Sequence, residues 1–94
     1  MWKLVYDPRV RKKLQKIRNT AVIRRIKEES ESLQERPYAG KLLHGYPGVR
    51  SKRIGTPDGE YRLIYQLVEE KQEVFIILVG NRKDVYDLLE RKEV

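Results

Sequence analysis

The run Val-Phe-Ile-Ile-Leu-Val at residues 74–79 constrains the fold of this 94-residue chain more than any other segment. It contains no polar residue, so it lacks the alternation of a strand that has one face in water. A strand that is apolar at every position is typical of the interior of a sheet that is covered on both faces. We therefore predict a central strand from Glu73 to Val79, with other elements packed against it.

Three more strands are predicted from their composition and from the turns beside them. Residues 2–6 are rich in aromatic and aliphatic side chains that favour strands. Residues 49–54 and 60–68 flank the sequence Thr-Pro-Asp-Gly at 56–59, which is typical of a turn. The polar residues 69–72 then lead into the central strand. The last three strands are thus expected to form an antiparallel meander.

Helices are predicted on either side of this meander. The first begins at Pro8, with Asp7 as its N-cap, and the second spans residues 21–35. Both carry apolar residues at helical spacing on one side, so they are expected to form a hairpin that packs on the sheet. Residues 37–48 are expected to be a loop, and a last helix is predicted over residues 83–92.

The order β-α-α-β-β-β-α predicts an α+β fold. We expect a small, antiparallel-rich sheet with the two-helix hairpin packed on one face and a short C-terminal helix. The length suits one domain covering residues 1–94. Because the hairpin covers one face of the sheet, we expect the other face to be available to a partner.

The charge of the chain favours an acidic partner. The formal net charge is +7, and residues 1–47 carry all of this excess, with 12 Lys and Arg against 5 Asp and Glu. The chain has no cysteine and one histidine, which excludes disulfides, cysteine-ligated metals and histidine-rich metal centres. No apolar run approaches the ~20 residues of a membrane span, and no signal sequence is evident, so a cytoplasmic location is expected.

Two arginines stand beside apolar strands. Arg62 lies within the run Tyr-Arg-Leu-Ile-Tyr, and Arg82 follows the central strand by three residues. A charge this close to a buried sheet costs free energy unless it has a partner or a function. With Tyr86 nearby in sequence, these cations indicate a polyanion site, for which phosphate is the favoured ligand.

Three segments resemble motifs of the RelE/ParE superfamily of small toxins from toxin–antitoxin pairs. Gly-Glu-Tyr-Arg-Leu-Ile-Tyr at 59–65 and Val-Gly-Asn-Arg-Lys-Asp-Val-Tyr at 79–86 are similar to its two most specific segments. Leu-Leu-His-Gly at 42–45 is similar to its leucine-glycine stretch, and the resemblance covers nearly the whole chain. RelE-type members are ribosome-dependent mRNA endonucleases that cut a codon in the decoding site. ParE-type members share the fold but poison DNA gyrase and usually lack the cations of the nuclease.

The resemblance implies the RelE type, because cations occupy the matching positions. The implied catalytic residues are Lys52, Arg53, Arg62, Arg82 and Tyr86. Metal-independent RNA cleavage needs a base for the 2′-hydroxyl, cations for the phosphate and an acid for the leaving oxygen. Arg62 would clamp the phosphate, Arg82 would be a second clamp or the acid, and Tyr86 would stack on a base or transfer a proton. Lys52 would be a better base than Arg53.

The register of the strand at 49–54 is open to two interpretations. If Arg53 is aligned with the arginine of the family's Arg-Val-Gly segment, its side chain faces the site. If strand positions are counted from the turn instead, Arg50 and Lys52 face the site. A slip of one residue exchanges the two faces. We favour Arg53, because this register leaves Ile54 for the core.

The resemblance also implies two partners, an acidic antitoxin and a ribosome with mRNA in its decoding site. It implies no bound metal, no other cofactor and no association with a membrane. Four further cations are assigned to RNA binding: Arg50, Lys12, Lys13 and Lys16. Two other functions compete with the nuclease. One is a catalytically silent, ParE-like inhibitor of a protein such as DNA gyrase, and the other is a basic RNA-binding module.

Each candidate residue also has a purely structural interpretation. Arg62 could extend to water from an edge strand, Arg82 could pair with Asp84, and Tyr86 could only pack. The cations at 52–53 and along residues 9–18 could be solvated faces of a strand and a helix. His44, alone in a glycine-rich loop, is expected to have no catalytic part.

Overall fold

The computed structural model describes residues 1–92, with only the backbone of residues 91 and 92. The elements are β1 (Lys3–Tyr6), α1 (Pro8–Lys16), α2 (Thr20–Ser32), β2 (Lys41–Leu42), β3 (Val49–Thr56), β4 (Gly59–Val68), β5 (Glu73–Asn81) and α3 (Arg82–Lys92). A 3₁₀ turn, Glu69–Lys71, joins β4 to β5. The elements confirm the α+β class and the predicted order. They add β2, a two-residue strand inside the segment that was expected to be loop.

All five strands form one sheet in the order β1-β5-β4-β3-β2. β1 is parallel to β5, and the other neighbouring pairs are antiparallel, which confirms the predicted meander. The hairpin between β3 and β4 turns at Pro57 and Asp58, where Gly59 has a φ of 104°. Glycine adopts this left-handed backbone without the steric cost that a Cβ would bring.

The apolar run in β5 is interior, as predicted, because its residues pack into apolar clusters on both faces of the sheet, and the strand contains a bulge. Tyr65 pairs with Ile76 and Ile64 with Leu78, so β5 carries an extra residue between them. The bulge shifts the facing of the strand by one residue. Ile76 and Val79 both face the core beneath α1 and α2, whereas Leu78 faces the opposite side.

The main core lies between the sheet and the two-helix hairpin. Its fully or almost fully buried residues are Val10, Val22, Ile26, Leu33, Ile54, Leu63, Tyr65, Val74, Ile76 and Val79. Burial of this kind stabilises a fold by about 1.5–3 kcal/mol for each large aliphatic side chain. The hairpin therefore packs on one face of the sheet, as expected from its apolar stripes.

The opposite face is available only in part, which corrects the expectation that it is free for a partner. Ile64 and Leu78 form a second cluster with Val85 and Leu89 of α3. These two strand residues are large and aliphatic, so leaving them in water would cost more than covering them with a helix. Asn81 fixes the start of α3, because its Oδ1 accepts a hydrogen bond from the Asp84 amide at 2.9 Å.

Both helices of the hairpin have side-chain caps. Asp7 accepts a bond from the Arg9 amide at 2.9 Å, which confirms the predicted cap, and Asn19 accepts one from the Ala21 amide at 2.9 Å. None of the helices within residues 1–92 combines the length and apolarity that crossing a membrane requires.

Replacing Asn19 with Ala is expected to lower the free energy of unfolding by about 1 kcal/mol, because the Ala21 amide loses its acceptor. Urea unfolding of the two proteins measures the difference. Asn19→Ser retains a capping oxygen and is the control, which should unfold close to the parent. Equal losses in both variants would show that the cap is not the cause.

Candidate functional site

The register between β3 and β4 brings two arginines together. Arg53 pairs with Arg62, and Arg62 pairs in turn with Gly80 of β5. Residues that oppose each other on neighbouring strands project from the same face of the sheet. The guanidinium groups of Arg53 and Arg62 therefore share the face that carries α3, while Ile54 is fully buried on the other face.

A pocket opens on this face between the sheet, α3 and the segment that precedes β3. Its lining residues are Ala39, Gly40, Lys41, Leu42, Leu43, Ser51, Lys52, Arg53, Arg62 and Tyr86. Four of the five candidate catalytic residues thus line one pocket, from β3, β4 and α3: Lys52, Arg53, Arg62 and Tyr86. The Arg62 side chain is 15% exposed and that of Arg53 is 69% exposed. Arg62 is therefore the arginine that the surrounding protein holds more firmly.

Glu60 bridges the two arginines. Its Oε1 accepts bonds from Arg53 Nε at 3.0 Å and Nη2 at 2.7 Å, and its Oε2 accepts one from Arg62 Nε at 3.0 Å. The hydrogen bonds from Arg53 are the main cause that lowers the pKa of Glu60, and they also raise the pKa of Arg53. Sequence reasoning missed Glu60, although its position two residues before Arg62 on one strand was a usable signal.

Ser51 adds an unpaired hydroxyl to the pocket. The residue is 9% exposed, and its Oγ has no hydrogen-bond partner among the described residues. Ser51 pairs with Ile64, so it lies on the same face as the two arginines. A buried hydroxyl without a partner costs free energy, and a ligand in the pocket can offset that cost.

Tyr65 holds in place the segment that forms one wall of the pocket. Its hydroxyl donates to Pro37 O at 2.8 Å and accepts from the Gly40 amide at 2.8 Å. Burial is the main cause that raises the pKa of Tyr65. These two bonds tie residues 37–40 to β4, and this segment leads directly into the pocket residues 39–43.

Two of the predicted cations face away from Arg62. Lys52 pairs with Leu63, so its side chain alternates to the opposite face even though the residue lines the pocket. Arg50 donates to Gly40 O at 2.8 Å, and its guanidinium lies 5.1 Å from the ring centre of Tyr38. Arg50 therefore supports the segment before β2 and lies outside the pocket lining.

The remaining candidates lie on helices. Arg82 is exposed in the first turn of α3 and is not among the lining residues of the pocket. Lys12, Lys13 and Lys16 line a groove along α1 together with Arg9 and Ile17. A Cβ atom on Gly80 would lie 2.7 Å from Lys13 Nζ, so this ammonium lies close to the residue that pairs with Arg62.

The charged groups at the pocket are suited to an anion. Arginine presents N–H groups in a planar fork that matches two oxygens of a phosphate. Within the part of the chain that the structure describes, no three His, Cys, Asp or Glu side chains come close enough together to hold a metal ion.

Comparisons with known proteins identify the family of the chain. The family described as "ParE toxin of type II toxin-antitoxin system, parDE" matches residues 4–86. The mRNA interferase toxin RelE of Escherichia coli K12 is 32% identical over 80 residues, which are 85% of this chain and 82% of that protein.

Solved structures extend the likeness to the fold. A double mutant of E. coli toxin RelE in the free state is 29% identical, with a TM-score of 0.76 over 99% of this chain and 98% of that one. The toxin in the intact E. coli RelBE toxin–antitoxin complex is 34% identical, with a TM-score of 0.73 over 86% of this chain and 96% of that one. This chain therefore belongs to the RelE/ParE superfamily of toxins from type II toxin–antitoxin systems.

Proposed function

We propose that this chain is the toxin of a type II toxin–antitoxin pair and that it cleaves mRNA on the ribosome without a metal ion. The observation that carries the proposal is the convergence of Arg53, Arg62 and Tyr86 on one pocket. The relatives named mRNA interferase, which are 32% identical over most of the chain, support the same reaction. They favour mRNA cleavage over the ParE-like alternative of inhibiting DNA gyrase.

The proposed reaction is an attack by the RNA on its own backbone. The 2′-oxygen bonds to phosphorus as its proton passes to a base, the bond from phosphorus to the 5′-oxygen breaks, and an acid protonates that oxygen. The products are a 2′,3′-cyclic phosphate and a free 5′-hydroxyl. Negative charge grows on the phosphate oxygens in the transition state, so fixed cations beside them accelerate the reaction.

The residues divide between holding the phosphate and moving protons. Arg62 would clamp the phosphate, because it is the less exposed arginine and its fork can bind two oxygens. Arg53 would add a second cation, and Arg82 would be a further clamp or the acid. Tyr86, half-buried at the pocket, would stack on a base or transfer a proton. The assignment of Lys52 as the base has less structural support than the roles of Arg53 and Arg62, because its side chain alternates to the other face of the sheet.

Naked mRNA is expected to be cut poorly or not at all. Lysine, arginine and tyrosine are weak proton carriers at neutral pH, so the substrate must be oriented by a template before these groups are effective. Primer extension on the same mRNA, free and bound to translating ribosomes, measures the difference. Rapid cleavage of the naked mRNA by the purified protein would contradict ribosome dependence.

An acidic antitoxin is expected to bind this basic chain, and the free toxin is expected in the cytoplasm. The net charge of +7 predicts association rates that fall as salt rises, because salt screens the attraction between the partners. Co-expression with the neighbouring gene, followed by stopped-flow association at several salt concentrations, tests this. If no partner co-purifies, the result counts against the toxin assignment. An association rate that does not change with salt would show that the positive charge of the chain does not guide docking.

The ParE-like alternative is tested in parallel. A gyrase-directed inhibitor would block supercoiling of plasmid DNA by purified gyrase and would leave ribosome-bound mRNA intact. The nuclease proposal expects the reverse result in both assays.

A further inference from the structure

The pairing of Arg53 with Arg62 sets two like charges directly opposite each other on neighbouring strands. Such pairs destabilise a sheet unless a negative group lies between them. Glu60 supplies that group, with one carboxylate oxygen bonded to each arginine. The free protein therefore carries an anion on the same cations that the proposed function assigns to RNA phosphate.

The overlap extends to individual N–H groups. Glu60 takes up Nε and Nη2 of Arg53 and Nε of Arg62. A phosphate that binds both arginines through the same edges must displace the carboxylate or share the guanidinium groups with it. In either case the two anions lie close together and repel each other.

The bridge is weak enough to be displaced. The side chains of Arg53 and Glu60 are 69% and 36% exposed, and ion pairs in such contact with water contribute little to stability. Glu60 lies on the turn side of the arginine pair, whereas the pocket residue Ser51 lies on the other side, since Glu60 pairs with Gly55 and Ser51 with Ile64. The Glu60 carboxylate can therefore turn away from the less exposed Arg62, and the exposed Arg53 can turn towards the pocket, without a change in the sheet.

We infer that Glu60 is an internal competitor for phosphate, which holds Arg53 and Arg62 in the free toxin and is displaced when the RNA backbone enters. This inference rests on the proposed function in taking an RNA phosphate as the ligand. Glu60 acts through the two arginines and is a positioning residue. Its carboxylate sets how tightly the site binds phosphate and keeps the cation pair from binding anions indiscriminately.

The test measures binding of a short oligonucleotide to the isolated protein. The probe is a trinucleotide with 2′-deoxyribose throughout, which cannot be cleaved by attack of a 2′-oxygen. Glu60→Gln keeps an oxygen that can accept hydrogen bonds and removes the charge, so the affinity should rise by about 3- to 10-fold. Glu70→Gln, in the turn at the far end of β4, removes the same charge elsewhere and should leave the affinity near that of the parent.

A structural role for Glu60 would give the opposite result. If the carboxylate were needed to hold the arginines ready for phosphate, Glu60→Gln and Glu60→Ala would both bind the probe more weakly than the parent. Three outcomes would each overturn the inference: weaker binding by both Glu60 variants, an effect equal to that of Glu70→Gln, or no binding of the probe by any variant. Thermal melting of each variant identifies a loss of fold, and Glu60→Ala then serves as the second variant if Glu60→Gln fails to fold.

The binding assay uses neither ribosomes nor cleavage, so it separates this inference from the proposed function. Tighter binding by Glu60→Gln supports the competitor even if mRNA is not cut. Normal cleavage of ribosome-bound mRNA with unchanged probe affinity would overturn the competitor alone. The expected outcome is a rise in affinity that is confined to the Glu60 variants and is lost when Arg62→Ala is added.

Discussion

Replacing Arg62 with Ala is expected to lower cleavage of ribosome-bound mRNA by about 10²- to 10³-fold, in line with the loss of one donor that stabilises transition-state charge. Arg62 is the less exposed of the paired arginines and lines the pocket that also contains Tyr86. Its side chain lies on the opposite face from Leu63 and Tyr65, which belong to the main core. Stability should therefore change by no more than about 1 kcal/mol.

Primer extension measures the cleavage, growth arrest on induction reports toxicity, and thermal melting reports the fold. Arg24→Ala, which removes an exposed arginine from α2, is the matched control and should cut normally. Arg82→Ala in the same assays tests the second proposed clamp. An Arg62→Ala protein that melts like the parent and cuts at the parent rate would remove Arg62 from the site, and one that fails to fold would show a structural role.

Replacing Gly40 with Ala is expected to lower the free energy of unfolding by about 2–4 kcal/mol, because it overpacks the core and disrupts buried hydrogen bonds. A Cβ at Gly40 would lie 2.7 Å from Tyr65 Oη, 2.8 Å from Tyr65 Cε1 and 3.0 Å from Ser51 O. The Tyr65 ring is fully buried, so it cannot move aside without disturbing the core. Its bonds to Pro37 O and the Gly40 amide would be strained or lost.

Gly55→Ala is the matched control for this substitution. Gly55 lies within β3, and a Cβ there would have no atom within 4 Å, so stability should change by less than about 0.5 kcal/mol. Urea unfolding of both variants measures the contrast. A Gly40→Ala protein as stable as its Gly55→Ala counterpart would show that Tyr65 does not fix the segment at 37–40.

The local elements followed from the sequence because their causes are local. Capping by Asp7 depends on residues within one turn of the helix, and the turn at 56–59 depends on its own proline and glycine. The apolar run in β5 required burial whatever its neighbours were. The two-residue β2 gave no such signal, since it exists only through its pairing of Lys41 and Leu42 with β3.

The candidate site was predicted in part. The sequence predicted Arg53 and Arg62 as cations for the phosphate and Tyr86 as a group that stacks on a base or transfers a proton, and these three residues line one pocket. Lys52 also lines this pocket, but strand alternation places its side chain on the other face of the sheet, and a hydrogen bond to Gly40 O holds Arg50 outside the pocket. Residue type indicates what a side chain can bind, whereas the face on which it lies depends on register.

Residue patterns along the chain were enough to predict the α+β class, the order of the long elements, the apolar interior of β5 and the set of candidate cations. They did not show which cations meet, how Glu60 bridges Arg53 and Arg62, or how α3 covers Ile64 and Leu78. Helix caps, turns and the need to bury an apolar run depend on residues that are close together in the sequence. Strand register and helix docking depend instead on contacts between residues far apart in sequence, and a register shift of one residue moves every side chain of a strand to the other face of the sheet.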